Sequence, residues 1–312
     1  MTIDLFQPLS QKQCSTFASK SNTKQGPLTD IPTKGVFISS SDGDFGLQVR
    51  RSMHMLCHVS SPAILDLGIL TGELDLWSGS PLHIHITDEG KSALTDRWAN
   101  QFLVAASNRV RTYKAKAVVP IAHQRQIRNE GNSSAEYEAI GSQYRLGNIR
   151  SNPQSLEPLL RGADGLIFDM SAIRASDAPG LAHNVSSGLY AEEACQIMRF
   201  AGEGSQMKTI LIDTCSLAVS NDRTASLVAQ MIWYAIEGYS LRVSSRPSDG
   251  DDSYTAYVAE TTAGTLQFYF HDAAGKWWLR SVTDDSRFIP CSYEEYTKAI
   301  DGQLSDRLLY FL

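Results

Sequence analysis

Carboxylates and histidines at strand-like spacing are the residues of this chain best placed to do chemistry. Asp169 closes the apolar run Leu166-Ile-Phe168 and opens a polar loop that ends at Pro179-Gly180. The run is short, β-prone and bounded by turn residues, so it reads as a buried strand. In open α/β sheets, ligand sites lie just beyond the carboxyl ends of strands. Asp169 therefore stands where a carboxylate serves either a site or the capping of its own loop. His83 and His85 lie on one face of a second strand-like run that starts at Pro81. Asp88 and Glu89 follow and complete a metal-type set of side chains, although histidines inside a strand more often have structural roles. His54 and His58 stand four apart within the helical stretch Leu47 to Val59, a spacing that metal sites use. With no Glu between them and no third ligand nearby, they read as helix surface.

The elements that must position these residues follow from hydrophobic periodicity. Buried runs at Gly35–Ser39, Ala63–Leu70, Pro81 onward, Ala117–Ile127 (a strand running into a polar turn), Leu166–Asp169 and Thr209–Asp213 alternate with helical segments at Gly188–Gly202 and Thr224–Gly238. In the second helix, Leu227, Val228, Met231, Ile232, Ala235 and Ile236 form one apolar stripe. This alternation predicts an α/β fold over residues 35–248, a three-layer sandwich around a mostly parallel sheet. Residues 1–34 are rich in Ser, Thr, Gln and Lys and predict a polar arm. From residue 249 the period changes to two in Ser253–Ala259, Thr265–Phe270 and Lys276–Arg280, with a short helix at Tyr293–Ile300. Residues 249–312 are thus expected to form a small antiparallel appendage packed on the domain.

Bulk properties narrow the class. A chain of 312 residues, 42% hydrophobic, is long enough for one large α/β core. A net charge of −6 without any basic run argues against nucleic acid as a partner. The aromatic residues of the tail lack basic neighbours and suit packing or assembly into a homo-oligomer. No apolar stretch approaches the ~18 residues of a membrane helix, and no apolar leader is visible, so no membrane partner is expected. The five cysteines are scattered without a C-x-x-C pair, as suits free thiols in a cytoplasmic protein.

The Asp169 segment resembles the signature of the ureohydrolases (arginase, agmatinase, formimidoylglutamase), in which a strand ends in D-x-D-x-x-D-P and soon reaches Pro-Gly. Here the first acid is Asp169, the second position is Ser171 and the third is Arg174. The family's D-A-H-x-D loop matches Ala122-His123, which leaves Ile121 and Arg125, or Ala122 and Gln126 one register over, where its carboxylates belong. Its G-G-D-H-S loop falls around Thr87 to Ser92, with no matching histidine. The family's Glu after the next strand corresponds to Asp213, before a Thr224-Ala225 helix that is intact. Glu192 or Glu193 matches the acid of G-L-x-x-x-E that meets substrate in the family, though acids in a helix's first turn are also favoured by its dipole. The likeness is dense from about Leu146 to Tyr239 and returns around Trp277 to Tyr296. It is strongest to a bacterial formimidoylglutamase-like branch whose signature reads F-D-x-S-A-I-R-x-S-D-A-P-G.

Working ureohydrolases hold two Mn²⁺ ions bridged by a hydroxide that attacks a guanidinium or formimidoyl carbon. The resemblance implies a remnant of that site at Asp169, Ser171, Arg174, His123 and Asp213, with Glu192 and Glu193 on the substrate side. It implies no cofactor, because most anionic ligands are replaced, and a non-hydrolytic protein that binds a small anionic or guanidino ligand. The alternative is a Mn²⁺-dependent C–N hydrolase whose ligands come from Asp169, His123 and His85, or from residues outside the matched motifs such as His83, His85, Asp88 and Asp177.

Overall fold

The structure is a computed structural model. It describes residues 6–9, 18, 20–21, 33–41, 44–59, 62–71, 81–87, 98, 101–109, 113, 115–128, 140–181, 185–214, 221–243, 247, 251–261 and 264–312.

Among these residues nine strands form the large sheet: β1 (Phe6–Gln7), β2 (Lys20–Ser21), β3 (Val36–Ser40), β4 (Ile64–Leu70), β5 (Leu82–Thr87), β6 (Phe102–Ala106), β7 (Ala117–Ile121), β8 (Gly165–Asp169) and β9 (Thr209–Asp213). Seven of them run in the order β4-β3-β5-β9-β8-β6-β7, all parallel. The two strands that come last in sequence, β8 and β9, thus return to the middle of the sheet. Alternation then sorts the side chains. Val36, Ile38, Ile84, Ile86, Leu166, Phe168, Ile210 and Ile212 join one large apolar cluster with the helices. The opposite face carries a smaller cluster of Trp98, Leu103, Ala105, Ile167 and Leu211.

The helices are α1 (Asp44–Met53), α2 (Leu146–Ser151), α3 (Leu156–Arg161), α4 (Ala191–Glu203) and α5 (Asp222–Ser240). In α5, the Asn221 side chain accepts from the amides of Arg223 and Thr224, and the expected apolar stripe is buried. The stretch expected to be helical to Val59 stops at Met53, where three successive amides turn back to carbonyls three residues earlier. His54 and His58 therefore do not share a helix face. Arg50 is buried under the first turn, with Nε and Nη2 on Asp66 and further bonds to the Ser40 hydroxyl and the Gly46 and Gly68 carbonyls.

The amino-terminal arm is partly built into the fold: β1 pairs antiparallel and β2 parallel with β4. The carboxyl-terminal part forms a separate antiparallel meander of β10 (Tyr254–Thr261), β11 (Gly264–His271), β12 (Lys276–Arg280) and β13 (Phe288–Cys291). It continues into α6 (Tyr293–Ile300) and α7 (Asp306–Phe311). This is the expected α/β domain with a small antiparallel appendage. No helix of the described residues is long and apolar enough to cross a membrane.

Candidate functional site

Asp169 and Asp213 close the central strands β8 and β9 and are direct register partners, with Thr87 of β5 beside Asp213. Because Phe168 and Ile212 face the helices, the two carboxylates face the other way. Each is only 2% exposed. Asp169 Oδ2 accepts from Ser107 Oγ at 3.1 Å. Its Oδ1 accepts the Ser171 amide at 2.8 Å, because Asp169 caps the 3-10 turn Met170–Ala172.

The rim continues through β6 and β7. Ala106 pairs with Phe168 on one side and Ile121 on the other, so Ser107-Asn108 and Ala122-His123 lie next in line. Ala122 has φ 61°, the one left-handed non-glycine among the described residues. That conformation costs roughly 1–2 kcal/mol for a residue with a Cβ. It is held by the Ala122 amide on the Tyr144 carbonyl at 2.8 Å and the Gln124 amide on the Asn108 carbonyl at 3.0 Å. Backbone strain of this kind gathers at functional sites. Gln124 clamps the β7 and β8 loops together: its Nε2 donates to the Ser187 carbonyl and its Oε1 accepts the Ser187 hydroxyl. Asn108 Oδ1 and Ser171 Oγ are buried on either side of this rim and meet no hydrogen-bond partner among the described residues. A buried polar atom left so costs about 1–3 kcal/mol, so both have hydrogen-bonding capacity that the described residues do not use.

Other expected site residues lie elsewhere. Arg174 does not pair with Asp169. Its Nε donates to Asp177 Oδ1 at 2.8 Å, and its guanidinium sits 4.2 Å over the Tyr190 ring. Asp177 uses its second oxygen on the Ala191 amide at 3.0 Å. Burial alone would raise the Asp177 carboxyl, but hydrogen bonds from Arg174, the Ala191 amide and Ser176 hold it below the usual range. Arg125 is exposed. Glu192 is exposed, and Glu193 accepts the Tyr190 amide at 2.8 Å and Arg150 Nε at 3.2 Å, so it caps α4. His83 and His85 share one partner, with Ser39 Oγ 2.7 Å from His83 Nε2 and 2.8 Å from His85 Nδ1. Burial lowers His83 to about 4 and, with its neighbours His83 and Arg50, takes His85 well below its ordinary value. Both are neutral within the core. His123 is buried at the rim, while Asp88 and Glu89 lie outside the described residues. Ser107 and Asn108 follow β6, a strand that the sequence does not signal, and Gln124 and Ser187 are polar loop residues of types that carry no signature of their own.

The architecture has solved counterparts. Formimidoylglutamase from Bacillus subtilis superposes with a TM-score of 0.51 at 15% identity, covering 76% of this chain and 95% of its own. An arginase superfamily protein from Trypanosoma cruzi gives 0.51 at 13% identity, over 77% and 98%. Formiminoglutamase of the same organism, with Mn²⁺, gives 0.50 at 14% identity, over 68% and 94%. The chain has the arginase-like fold. No protein-family model matches the sequence, and no curated protein matches it.

The arginase-like fold raises the question of manganese, and the rim answers it through its donor set. Hard divalent ions take carboxylate oxygens by preference, and a pair of ions needs several. This rim brings together two carboxylates, and both oxygens of Asp169 already accept protein hydrogen bonds. The remaining donors are hydroxyls, an amide and the His123 imidazole. Among the described residues no group of three or more His, Cys, Asp or Glu is placed to hold a metal ion. The donors that the described residues bring to this rim do not by themselves fit a two-manganese centre.

Proposed function

We propose that this chain is a ureohydrolase-superfamily protein of the branch with the F-D-x-S-A-I-R signature that has lost most manganese ligands. It acts as a non-hydrolytic binding or regulatory protein. The observation that carries this is the hydrogen bonding of Asp169, whose two oxygens rest on Ser107 and the Ser171 amide. Each oxygen already takes a protein donor and keeps a lone pair that a further N–H donor can use. Of the two expected ligand classes, the rim favours the guanidino one. Its acceptors are Asp169, Asp213, Asn108 Oδ1 and Ser171 Oγ, whereas Arg174 is engaged by Asp177 and Arg125 is exposed. A guanidinium offers five N–H donors to such a ring of oxygens.

The reading is tested with agmatine, arginine, formimidoylglutamate and Mn²⁺. Agmatine or arginine at a hundred times its Kd adds roughly 2.7 kcal/mol of stability, several degrees in Tm. Melting is expected to rise with the guanidino ligand and to stay unchanged with millimolar Mn²⁺ or EDTA. No urea or formamide should be released with Mn²⁺ present. Product formed in proportion to protein, with a Tm rise on Mn²⁺ that EDTA reverses, would instead establish the Mn²⁺-dependent C–N hydrolase.

A further inference from the structure

The antiparallel meander has an open edge. β10 pairs with β11 residue for residue from Tyr254 to Thr261, and among the described residues no strand pairs with its other side. An unpaired edge is a template for another chain, so proteins keep edge strands short or place Pro or Lys on them. The other edge strands of the described residues follow that rule: β1 has two residues, β7 carries Pro120 and β13 carries Pro290. β10 has eight residues in unbroken register, with no Pro, no Lys and a single charge, Glu260, near one end. Its flanks are apolar and open on both faces. Tyr257 is 36% exposed, with its ring 5.6 Å from that of Tyr296 on α6, and Val258, which points the other way, is 58% exposed. Tyr293 is 62% exposed and extends the ring cluster through Trp277. The ladder also sets which backbone groups look outward. In an antiparallel pair, residues bonded to the neighbour alternate with residues whose N–H and C=O point away. The Tyr254 amide turns to the Asp251 carbonyl rather than to β11, so Ala256, Val258 and Glu260 share its outward phase.

We propose that β10 pairs antiparallel with β10 of a second copy of this chain, about a two-fold axis at Tyr257, so that two four-stranded sheets become one. Ala256 then exchanges backbone hydrogen bonds with Val258 of the second copy, and Val258 with its Ala256. Tyr257 meets its own equivalent at the closer, non-hydrogen-bonded position, where an aromatic pair is favourable. Glu260 falls opposite Tyr254. Centring the axis on Ala256 would instead set Glu260 opposite Asp252, and like charges directly opposite are destabilising. Centring it on Val258 would set Tyr257 against Ala259 and lose the aromatic pair. The contact is isologous and closes on itself, so it consumes both open edges. It is separate from the Asp169 rim and does not rest on the guanidino reading.

Sedimentation velocity of the full chain tests the proposal. The parent should sediment as a dimer, or as a larger assembly with an even number of chains, at micromolar concentration. Ala256→Lys/Val258→Lys sets lysine opposite lysine at both central pairs and should weaken the pairing about tenfold or more, halving the mass of the assembly on dilution. Ala256→Glu/Val258→Lys sets acid opposite lysine in this register, whereas the two neighbouring registers would set acid opposite acid or lysine opposite lysine. It should therefore assemble as the parent does. Both side chains are exposed, so neither variant disturbs the core. Should the double-lysine variant not fold, Val258→Pro replaces it, since it removes an outward donor from an edge strand, which tolerates proline. A parent that stays monomeric at micromolar concentration, a double-lysine variant that assembles like the parent, or a glutamate–lysine variant as weak as the double-lysine one overturns the proposal.

Discussion

Arg174 looks, by position, like the cation that replaces a lost metal, yet its partner is three residues on and not at the strand end. The Asp169 carboxylate is held by Ser107 and a backbone amide, and Arg174 by Asp177 and Tyr190 at a side-chain exposure of 37%. An exposed ion pair with one cation–π contact contributes little to stability. Arg174→Ala is therefore expected to leave the urea midpoint nearly unchanged, without disturbing Asp169. A large drop in the midpoint, as when a buried ion pair is broken, would instead mean that Arg174 pairs with Asp169. His83 carries a larger and pH-dependent effect. The native state keeps it neutral down to about 4, whereas the unfolded chain takes up a proton below 6.5. The unfolded state binds more protons in that window, so stability is present above 6.5 and falls as pH drops toward 4. The full effect is about 3 kcal/mol, and burial of His85 adds to it in the same direction. Urea titrations at pH 7.5 and 5 should show this loss in the parent and a shallower one in His83→Gln, and parallel slopes would refute it. At this scale the sequence reveals a carboxylate at a strand end, as at Asp169 and Asp213. It does not reveal which neighbour reaches it, since Ser107 comes from a strand 62 residues away in sequence.

The elements were more legible than their partners. β8 and β9 end at Asp169 and Asp213, where the apolar runs end, and α5 follows its apolar stripe. The misses have local causes. β13 contains Pro290, which propensity reads as a breaker but which an edge strand tolerates. β1 and β2 are two residues each and exist because β4 offers them an edge. A finer feature lies where α4 crosses α5. A Cβ at Gly202 would stand 2.1 Å from the Ala235 carbonyl oxygen, and one at Gly238 would stand 2.1 Å from that of Arg199. Both obstacles are backbone, so neither yields unless the helices separate. Helix propensity alone makes Gly→Ala favourable by about 1 kcal/mol. Overpacking a tight contact costs typically 1–3 kcal/mol and wins here. Gly202→Ala and Gly238→Ala should each lower the urea midpoint, and a raised midpoint in either would show that propensity prevails.

At the scale of the molecule the question is whether the appendage is a passenger or part of the fold. Four charged side chains join the two parts at their seam. Lys276 of β12 reaches both Glu157 of α3 and Glu203 of α4, and Arg161 of α3 donates to Glu157 at 2.8 Å. Arg161 also donates to the Trp277 and Cys291 carbonyls and lies 4.3 Å over the Trp278 ring. Burial alone would raise the Glu157 carboxyl, but Arg161 and Lys276 bring it below the usual range, so it is charged and needs its cations. Glu203 is 6% exposed with Lys276 as its nearest partner and Arg199 Nε farther off at 3.7 Å. Removing Lys276 leaves two buried carboxylates short of charge, a change that typically costs 3–5 kcal/mol. Lys276→Met keeps the apolar stem and should lower the melting temperature sharply. Because a carboxyl deprived of its cation takes a proton more readily, the deficit should shrink as pH falls from 7 toward 5. Far-ultraviolet signal, mainly from the helices of the domain, and tryptophan fluorescence, to which Trp277 and Trp278 of the appendage contribute two of five tryptophans, should move together in one transition in the parent. Two separated transitions in the parent, or a Lys276→Met variant that melts with it, would mean that the appendage folds on its own account.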